Sequence, residues 1–174
     1  MSIQEKVDDY KKMLALFPNT QEKYQYLIEQ AKKSEDFPEE LRIDKFKVNG
    51  CQSQVWLVPE EKDDKIFFKS DSDALIAKGL VTLITSIYSN EAPSDIANSD
   101  IDLMEEFELG VILSPARRNG AFSMLKTIKE VSQKLADWSF PPVFMWEKYP
   151  YWWSIFCYIL CVIMGFKIAF VIPP

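Results

Sequence analysis

The sequence predicts an α+β fold in which helices pack with a three-stranded antiparallel sheet, followed by an apolar C-terminal extension. The first observation is that apolar residues recur at helical spacing, then alternate with polar residues between residues 43 and 70, then return to helical spacing. The second is a change of composition near residue 137, after which aromatic residues dominate. We therefore expect a domain of residues 1–137 and a tail of residues 138–174.

The N-terminal part predicts two helices. The first covers roughly residues 3–16 and ends before Pro18, which cannot continue a helix. The second begins at Asn19, which resembles a capping box together with Glu22 three residues later. Residues 35–41 predict a loop or a short turn.

Three strands are predicted next. Residues 43–48 alternate apolar and polar side chains, as a half-buried strand does. Residues 54–58 and 65–70 form the second and third strands, with the charged residues 60–64 as the hairpin turn between them. The order predicts a meander with one face of the sheet covered by helices.

The remainder of the domain is predicted to be helical. Asp71, Ser72 and Asp73 are a strong N-cap signal for the next helix, in which Gly79 marks a place of close packing. A short helix begins at Pro93. A last amphipathic helix follows Ser114 and Pro115, with an apolar face made of Met124, Leu125, Ile128, Val131 and Leu135.

Composition and charge exclude several kinds of function. The formal net charge is -6, which argues against nucleic acid as a partner because phosphate binding needs clustered Lys and Arg. The chain has no histidine, so it cannot form a Ser-His-Asp or Cys-His catalytic site or a His-containing zinc site. Its three cysteines are not spaced as a disulfide framework. We expect no metal and no cofactor.

The two ends of the sequence bear on location. The first residues are charged and lack the apolar segment of a secretory signal, so we expect a cytoplasmic protein with reduced thiols. Residues 151–172 form an apolar run broken only by Lys167, which is long enough to cross a bilayer. Trp152 and Trp153 resemble interfacial anchors. Three interpretations stay open for this tail: a membrane-associated helix, an extension packed on the domain, or an artefact of the gene model.

Cys51 is the candidate chemical group. It is the only cysteine in the first 156 residues, and it follows the turn signal Asn49-Gly50. Gly50 allows a tight turn, and Gln52 and Ser53 keep the surroundings polar before an apolar strand begins. A cysteine kept for packing usually lies inside an apolar run, so we expect the Cys51 sulfur to be reachable.

Four stretches resemble the SufE family of sulfur-acceptor proteins in the same order. They are EKYQYLIE at 22–29, GCQSQVWLV at 50–58, DSDALIAKGL at 71–80 and LSPARRNG at 113–120. The resemblance covers about residues 4–135 and implies an α+β fold similar to IscU-type scaffolds. Members of this family accept sulfur from a SufS-type cysteine desulfurase and pass it to the SufBCD scaffold, on which iron–sulfur clusters are assembled.

The resemblance implies a role for each matching residue. Cys51 would accept a persulfide sulfur, and the protein would activate the desulfurase rather than act as a free-standing enzyme. The residues expected to bind the partner or position the loop are Gly50, Gln52, Ser53, Gln54, Asp73 and Arg117. A simpler interpretation of Asp73 is helix capping, and Arg117 is equally well explained as a surface residue. Asn119-Gly120 predicts only a turn.

Two features depart from the family pattern. Ile112 stands where members usually have a histidine, and the apolar tail extends beyond the usual end. Ile112 is either a neutral apolar substitute or the loss of a group that helps the cysteine. An alternative function therefore stays open, namely a docking module without sulfur chemistry that binds a desulfurase or scaffold and is tethered to a membrane through its tail.

Overall fold

The computed structural model of the protein describes residues 2–138. These residues fall almost entirely within the unit Met1–Asp137, one of two into which the chain divides. The helices and strands, in chain order, are α1 (Ile3–Ala15), α2 (Thr20–Lys33), β1 (Val55–Lys62), β2 (Lys65–Ser72), α3 (Leu75–Tyr88), α4 (Pro93–Ala97), α5 (Leu103–Glu106), α6 (Leu109–Ile112) and α7 (Pro115–Trp138). The α+β class predicted from the sequence is confirmed.

Helices α1 and α2 begin at capping residues. Ser2 and Glu5 form a reciprocal capping box at the start of α1. The side-chain oxygen of Asn19 accepts a hydrogen bond from the backbone N–H of Glu22 at 2.9 Å, which caps α2. Both predicted helices are confirmed. The predicted loop at 35–41 ends in a 3₁₀ turn, Glu39–Leu41.

The sheet of the described residues has two strands. β1 and β2 pair antiparallel from Val55 opposite Ser72 to Lys62 opposite Lys65. The turn between them is only Asp63 and Asp64, whose φ angles of 53° and 59° are left-handed. A two-residue turn with both residues in the left-handed region matches the right-handed twist of the strands that it joins. The hairpin is therefore confirmed, but its turn is shorter than the predicted residues 60–64.

The prediction of a first strand at residues 43–48 is wrong. Asp44–Phe46 forms a 3₁₀ turn, and Lys47 makes only an isolated bridge to Trp56. Phe46 and Val48, which a regular strand would place on the same face, pack on different apolar clusters. Val48 enters the main core, whereas Phe46 packs on a second cluster. That cluster consists of Phe37, Trp56 and Val58, with Leu41 and Phe46 against it.

Helix α3 forms the centre of the main core. It begins at Leu75 with Ala74 at the N-cap and no side-chain capping bond, so the predicted capping by Asp71, Ser72 and Asp73 is wrong. The fully buried side chains of α3 include Leu80, Leu83, Ile84, Ile87 and Tyr88.

Asp71 belongs to β2, where it is buried because two cations neutralise it. Its carboxylate is 2.6 Å from Arg42 Nη2 and 2.9 Å from Lys78 Nζ. A buried charge is tolerated only with such partners. The carboxylate that the sequence assigns to a helix end is therefore part of an ion cluster that joins β2, α3 and the segment before β1. Lys78 of α3 is one of the two cations of that cluster.

Helices α4 and α7 begin at Pro93 and Pro115, as predicted. Gly120 lies inside α7, so the predicted turn at Asn119-Gly120 is wrong. Within residues 2–138 no helix combines the length and apolar character needed to cross a membrane. The membrane-associated helix predicted at 151–172 lies outside the described residues.

Candidate functional site around Cys51

Cys51 lies in a short loop that leads into β1. The base of the loop is closed by a hydrogen bond from the Val48 N–H to the Val55 carbonyl at 2.8 Å. Gly50 has a φ of +88°, a left-handed conformation that favours glycine over any residue with a side chain. The tight bend at Gly50 directs Cys51 back toward the body of the domain.

A second set of hydrogen bonds fixes the other end of the loop. The Gln54 N–H donates to Asp73 Oδ1 at 3.0 Å, and the Asp73 N–H donates to the Gln54 carbonyl at 3.2 Å. The Ser72 hydroxyl also donates to that carbonyl, at 2.7 Å. Asp73 therefore anchors the loop to the start of α3. Gln54 and Asp73, both candidate site residues, are brought together here rather than beside the sulfur.

The loop rests on α7. The Cys51 thiol donates to the backbone carbonyl of Gly120 at 3.5 Å. A Cβ atom at Gly50 would lie 2.6 Å from Ser123 Oγ, so this glycine also approaches α7 too closely for a side chain. Gly120 and Ser123 are three residues apart and share one face of the helix. That face forms a seat for the loop.

A cavity of about 50 Å³ adjoins the thiol. Three consecutive loop residues, Cys51, Gln52 and Ser53, form one wall. The other walls come from α3, α7 and the segment that joins α6 to α7, and most of their side chains are apolar. These residues are Ile76, Ala77, Leu80, Leu113, Ala116, Arg117, Gly120 and Met124. Of the candidate residues, the structure therefore brings Gln52, Ser53 and Arg117 to the same cavity as Cys51.

Arg117 is held at this cavity by Tyr24 of α2. Its Nη1 donates to the Tyr24 hydroxyl at 2.8 Å, and its guanidinium carbon lies 5.9 Å from the centre of the same ring. The hydrogen bond and the cation–π contact fix the direction of the guanidinium. Arg117 is therefore an ordered cation rather than a free surface side chain.

The environment of Cys51 favours the neutral thiol. Burial raises the pKa of the Cys51 thiol, because the thiolate loses hydration in a half-buried position. The S–H group also needs its proton to donate to the Gly120 carbonyl. In this seated position the sulfur is protonated at neutral pH. Among residues 2–138, no group of three or more Cys, Asp or Glu side chains could hold a metal ion.

Ile112 occupies the position at which the resemblance implies a histidine. It is 8% exposed, belongs to the main core and is not among the residues that line the Cys51 cavity. Its neighbour Leu113 lines the cavity instead. In this chain, position 112 contributes apolar packing.

Two residues of the site were missed in the sequence. Tyr24, which holds Arg117, was not among the candidate residues, and Gly120 was predicted to be part of a turn. The signal for Gly120 is its spacing from Ala116 and Met124, four residues to either side, which places all three on one helical face. No local signal identifies Tyr24 as the partner of an arginine 93 residues later.

The fold and the site together define a small α+β domain that presents the Cys51 thiol on a loop seated against α7, beside a small cavity. A family model described as "Fe-S metabolism associated domain", the SufE domain, matches residues 8–132. The chain belongs to the SufE family. This membership connects it with iron–sulfur metabolism.

Related proteins agree with this assignment. The chain is 34% identical over 137 residues to an uncharacterized SufE-like protein of Rhizobium meliloti, covering 76% of this chain and 95% of the relative. It is 36% identical over 134 residues to an uncharacterized SufE-like protein of Rhizobium etli, covering 74% and 88%. The solution structure of a hypothetical protein from Thermus thermophilus has a TM-score of 0.62 at 18% identity, covering 74% and 94%, which shows a shared fold.

Proposed function

We propose that this protein is a sulfur carrier that accepts persulfide sulfur from a SufS-type cysteine desulfurase on Cys51, stimulates that enzyme, and passes the sulfur to a SufBCD-type scaffold. The observation that supports this most directly is the position of Cys51. Its thiol lies on a loop that is fixed at both ends, beside a small cavity lined by apolar side chains and by Arg117. Its compartment is the reducing cytoplasm, where a lone thiol stays free.

The transfer is a thiol exchange. The Cys51 thiolate attacks the terminal sulfur of the persulfide on the desulfurase, and the new S–S bond forms as the old one breaks. Cys51 gains one sulfur and the desulfurase cysteine leaves as a thiolate. No external oxidant or reductant is consumed. The scaffold receives the sulfur in a second exchange of the same kind.

The seated and attacking positions of Cys51 differ. In its seat the thiol is protonated, since burial raises the pKa of Cys51, and a protonated thiol is a poor nucleophile. Attack therefore requires the loop to leave α7 and expose the sulfur to the partner. The backbone hydrogen bonds of Val48 and Gln54 hold the two ends of the loop. Only the residues between them therefore need to move. Asp73 acts as the anchor of the loop during this movement.

The cavity provides a place for the product. A persulfide carried through the cytoplasm is exposed to thiol reductants, which release its terminal sulfur. Return of the loop to α7 places the loaded sulfur among apolar side chains such as Leu80 and Met124. Arg117, fixed by Tyr24 at the same cavity, supplies a cation beside the loop and a donor for the partner. Gln52 is exposed and is free to contact the desulfurase.

The test is sulfur loading of the full chain. The protein is incubated with a SufS-type desulfurase and free cysteine and is then digested with trypsin. The mass of the peptide of residues 48–62 is measured by mass spectrometry. We expect this peptide to gain about 32 Da, one sulfur, which dithiothreitol removes. The variant Cys51→Ser is the control and should gain nothing.

Two outcomes separate carrier from docking module. Loading of residues 48–62 together with faster cysteine turnover by the desulfurase supports the carrier. Binding to the desulfurase with no sulfur on Cys51 would contradict it, and would leave a docking module without sulfur chemistry.

A further inference from the structure

Gly120 lies inside a helix, where glycine has a low intrinsic propensity. It is the only glycine of the 24-residue helix α7, and glycine is less favourable than alanine inside a helix because it loses more conformational freedom. It lies on the buried side of that helix. Its φ is not in the left-handed region, so no backbone requirement explains it. The explanation has to come from what surrounds the missing side chain.

The nearest neighbour of the missing side chain is Cys51. A Cβ atom at position 120 would lie 3.5 Å from Cys51 Sγ and 3.8 Å from Cys51 Cα. These are ordinary van der Waals distances, so an alanine fits the protein as long as Cys51 is a simple thiol. The same methyl group would project into the cavity that Gly120 lines with Cys51.

A loaded sulfur changes this geometry. The second sulfur of a persulfide lies about 2 Å beyond Sγ. If that sulfur points along the seat toward α7, it overlaps with a methyl group at position 120. The glycine therefore matters little for the unloaded protein and most for the loaded one.

We propose that Gly120 is a positioning residue that keeps open the space beside Cys51 Sγ in which the transferred sulfur is sheltered. This inference rests on the proposed function and adds the residue that determines where the carried sulfur lies. This role predicts two opposite effects of replacing the glycine. The stability of the helix should rise, whereas the protection of the bound sulfur against reductants should fall. A residue with a merely structural role would change both in the same direction.

The test compares Gly120→Ala with Gly110→Ala and the native chain. Gly110 is exposed in α6, and a Cβ atom there would meet only Arg118 at 3.9 Å. Each full-length protein is loaded with inorganic polysulfide. The Cys51 thiolate takes one sulfur from hydrodisulfide, and hydrosulfide leaves, so one S–S bond forms as one breaks.

Loss of the sulfur to dithiothreitol is then followed on the tryptic peptide of residues 48–62. This peptide is separate from the one that contains Cys157 and Cys161. We expect Gly120→Ala to lose its sulfur about threefold faster than the native chain, or to load less of it. Its melting temperature should be equal or higher. Gly110→Ala should match the native half-life.

Each contrary outcome overturns the inference. Equal loading and equal half-life in Gly120→Ala would show that the space is not needed. A lower melting temperature in that variant would show that the methyl group does not fit even the unloaded protein. A native chain that holds no sulfur on Cys51 would also overturn it. Because polysulfide loading needs no desulfurase, failure of donation by that enzyme overturns only the proposed function.

Discussion

Gly79 of α3 lies directly against the backbone carbonyl of Leu27 in α2. A Cβ atom at position 79 would be 1.8 Å from the Leu27 oxygen and 2.6 Å from its carbonyl carbon. The obstructing atoms are backbone atoms, so no side-chain rotation could relieve the overlap. The two helices touch at this point because residue 79 has no side chain, as the sequence predicted for a place of close packing.

The first prediction follows from that contact. Gly79→Ala should destabilise the protein by about 2–3 kcal/mol, because the methyl group forces α2 and α3 apart and opens the core between them. Urea unfolding of the native chain and the variant measures this. Gly110→Ala, whose methyl group meets no backbone, should change the free energy of unfolding by less than about 0.5 kcal/mol. Equal stability of the native protein and Gly79→Ala would contradict the packing described.

The second prediction concerns the buried ion cluster. Asp71 is 1% exposed, and Arg42 and Lys78 both contact its carboxylate. Asp71→Asn keeps the shape but removes the charge, and should cost about 1–3 kcal/mol of unfolding free energy. The two cations are partly exposed and regain some hydration, which limits the loss.

The control for this prediction is a surface ion pair. Glu60→Gln removes the partner of Lys69, and both side chains of that pair are more than 40% exposed. Exposed pairs contribute little, so Glu60→Gln should cost less than about 1 kcal/mol. If Glu60→Gln lowers the free energy of unfolding as much as Asp71→Asn does, the contribution of the Asp71 cluster to stability does not depend on its burial.

The third prediction concerns the cation at the cavity. Arg117→Lys cannot keep both the hydrogen bond to the Tyr24 hydroxyl and the cation–π contact with the Tyr24 ring, because an ammonium group lacks the planar fork of donors. We expect persulfide formation on Cys51 to slow at least about threefold while the melting temperature changes by a few degrees at most. Arg118→Lys is the matched control, since Arg118 does not line the cavity. Equal rates for both variants would remove Arg117 from the site.

The fourth prediction concerns pH. Burial raises the pKa of Cys51 in the folded state above that of the unfolded chain, which is about 8.5 for a free thiol. The folded protein therefore retains a proton that the unfolded chain loses. The contribution of Cys51 is fully present below pH of about 8.5 and is lost as pH rises from there toward the folded pKa.

The measurement is urea unfolding between pH 8 and 10, in the native chain and in Cys51→Ser. The native chain should lose stability faster than the serine variant over this window. Burial also raises the pKa of Tyr26 and Tyr88, but their ordinary value is 10, so they contribute above the window. Parallel pH profiles in the two proteins would contradict a seated, protonated Cys51.

Local sequence signals predicted the starts of α2, α4 and α7, but not the short helices α5 and α6. Asn19, Pro93 and Pro115 mark helix starts by chemistry that acts within one turn, and the structure confirms each start. Asp71 shows where such signals fail. Its local sequence is that of a helix cap, but Arg42 contacts it from 29 residues earlier in the chain. Only the folded chain reveals which of its potential partners a carboxylate takes.

The candidate site also contains residues that local sequence signals identify and residues that only long-range contacts identify. Cys51 and Gly50 were found because a turn signal and a lone cysteine are adjacent in sequence. Gly120 and Tyr24 were missed as site residues because their roles depend on contacts with residues 69 and 93 positions away. The predicted strand at 43–48 failed for a related reason. An alternating pattern shows that side chains point to opposite sides, but it does not show that a neighbouring strand is available.

The seating of Cys51 on α7 also bears on damage. Peroxides convert an accessible thiolate first to a sulfenic acid and then to forms that a cell does not readily reverse. A half-buried thiol that keeps its proton is a poor target for this chemistry. In this seated form the Cys51 thiol thus resists oxidation, and we expect it to become vulnerable only if the loop leaves Gly120.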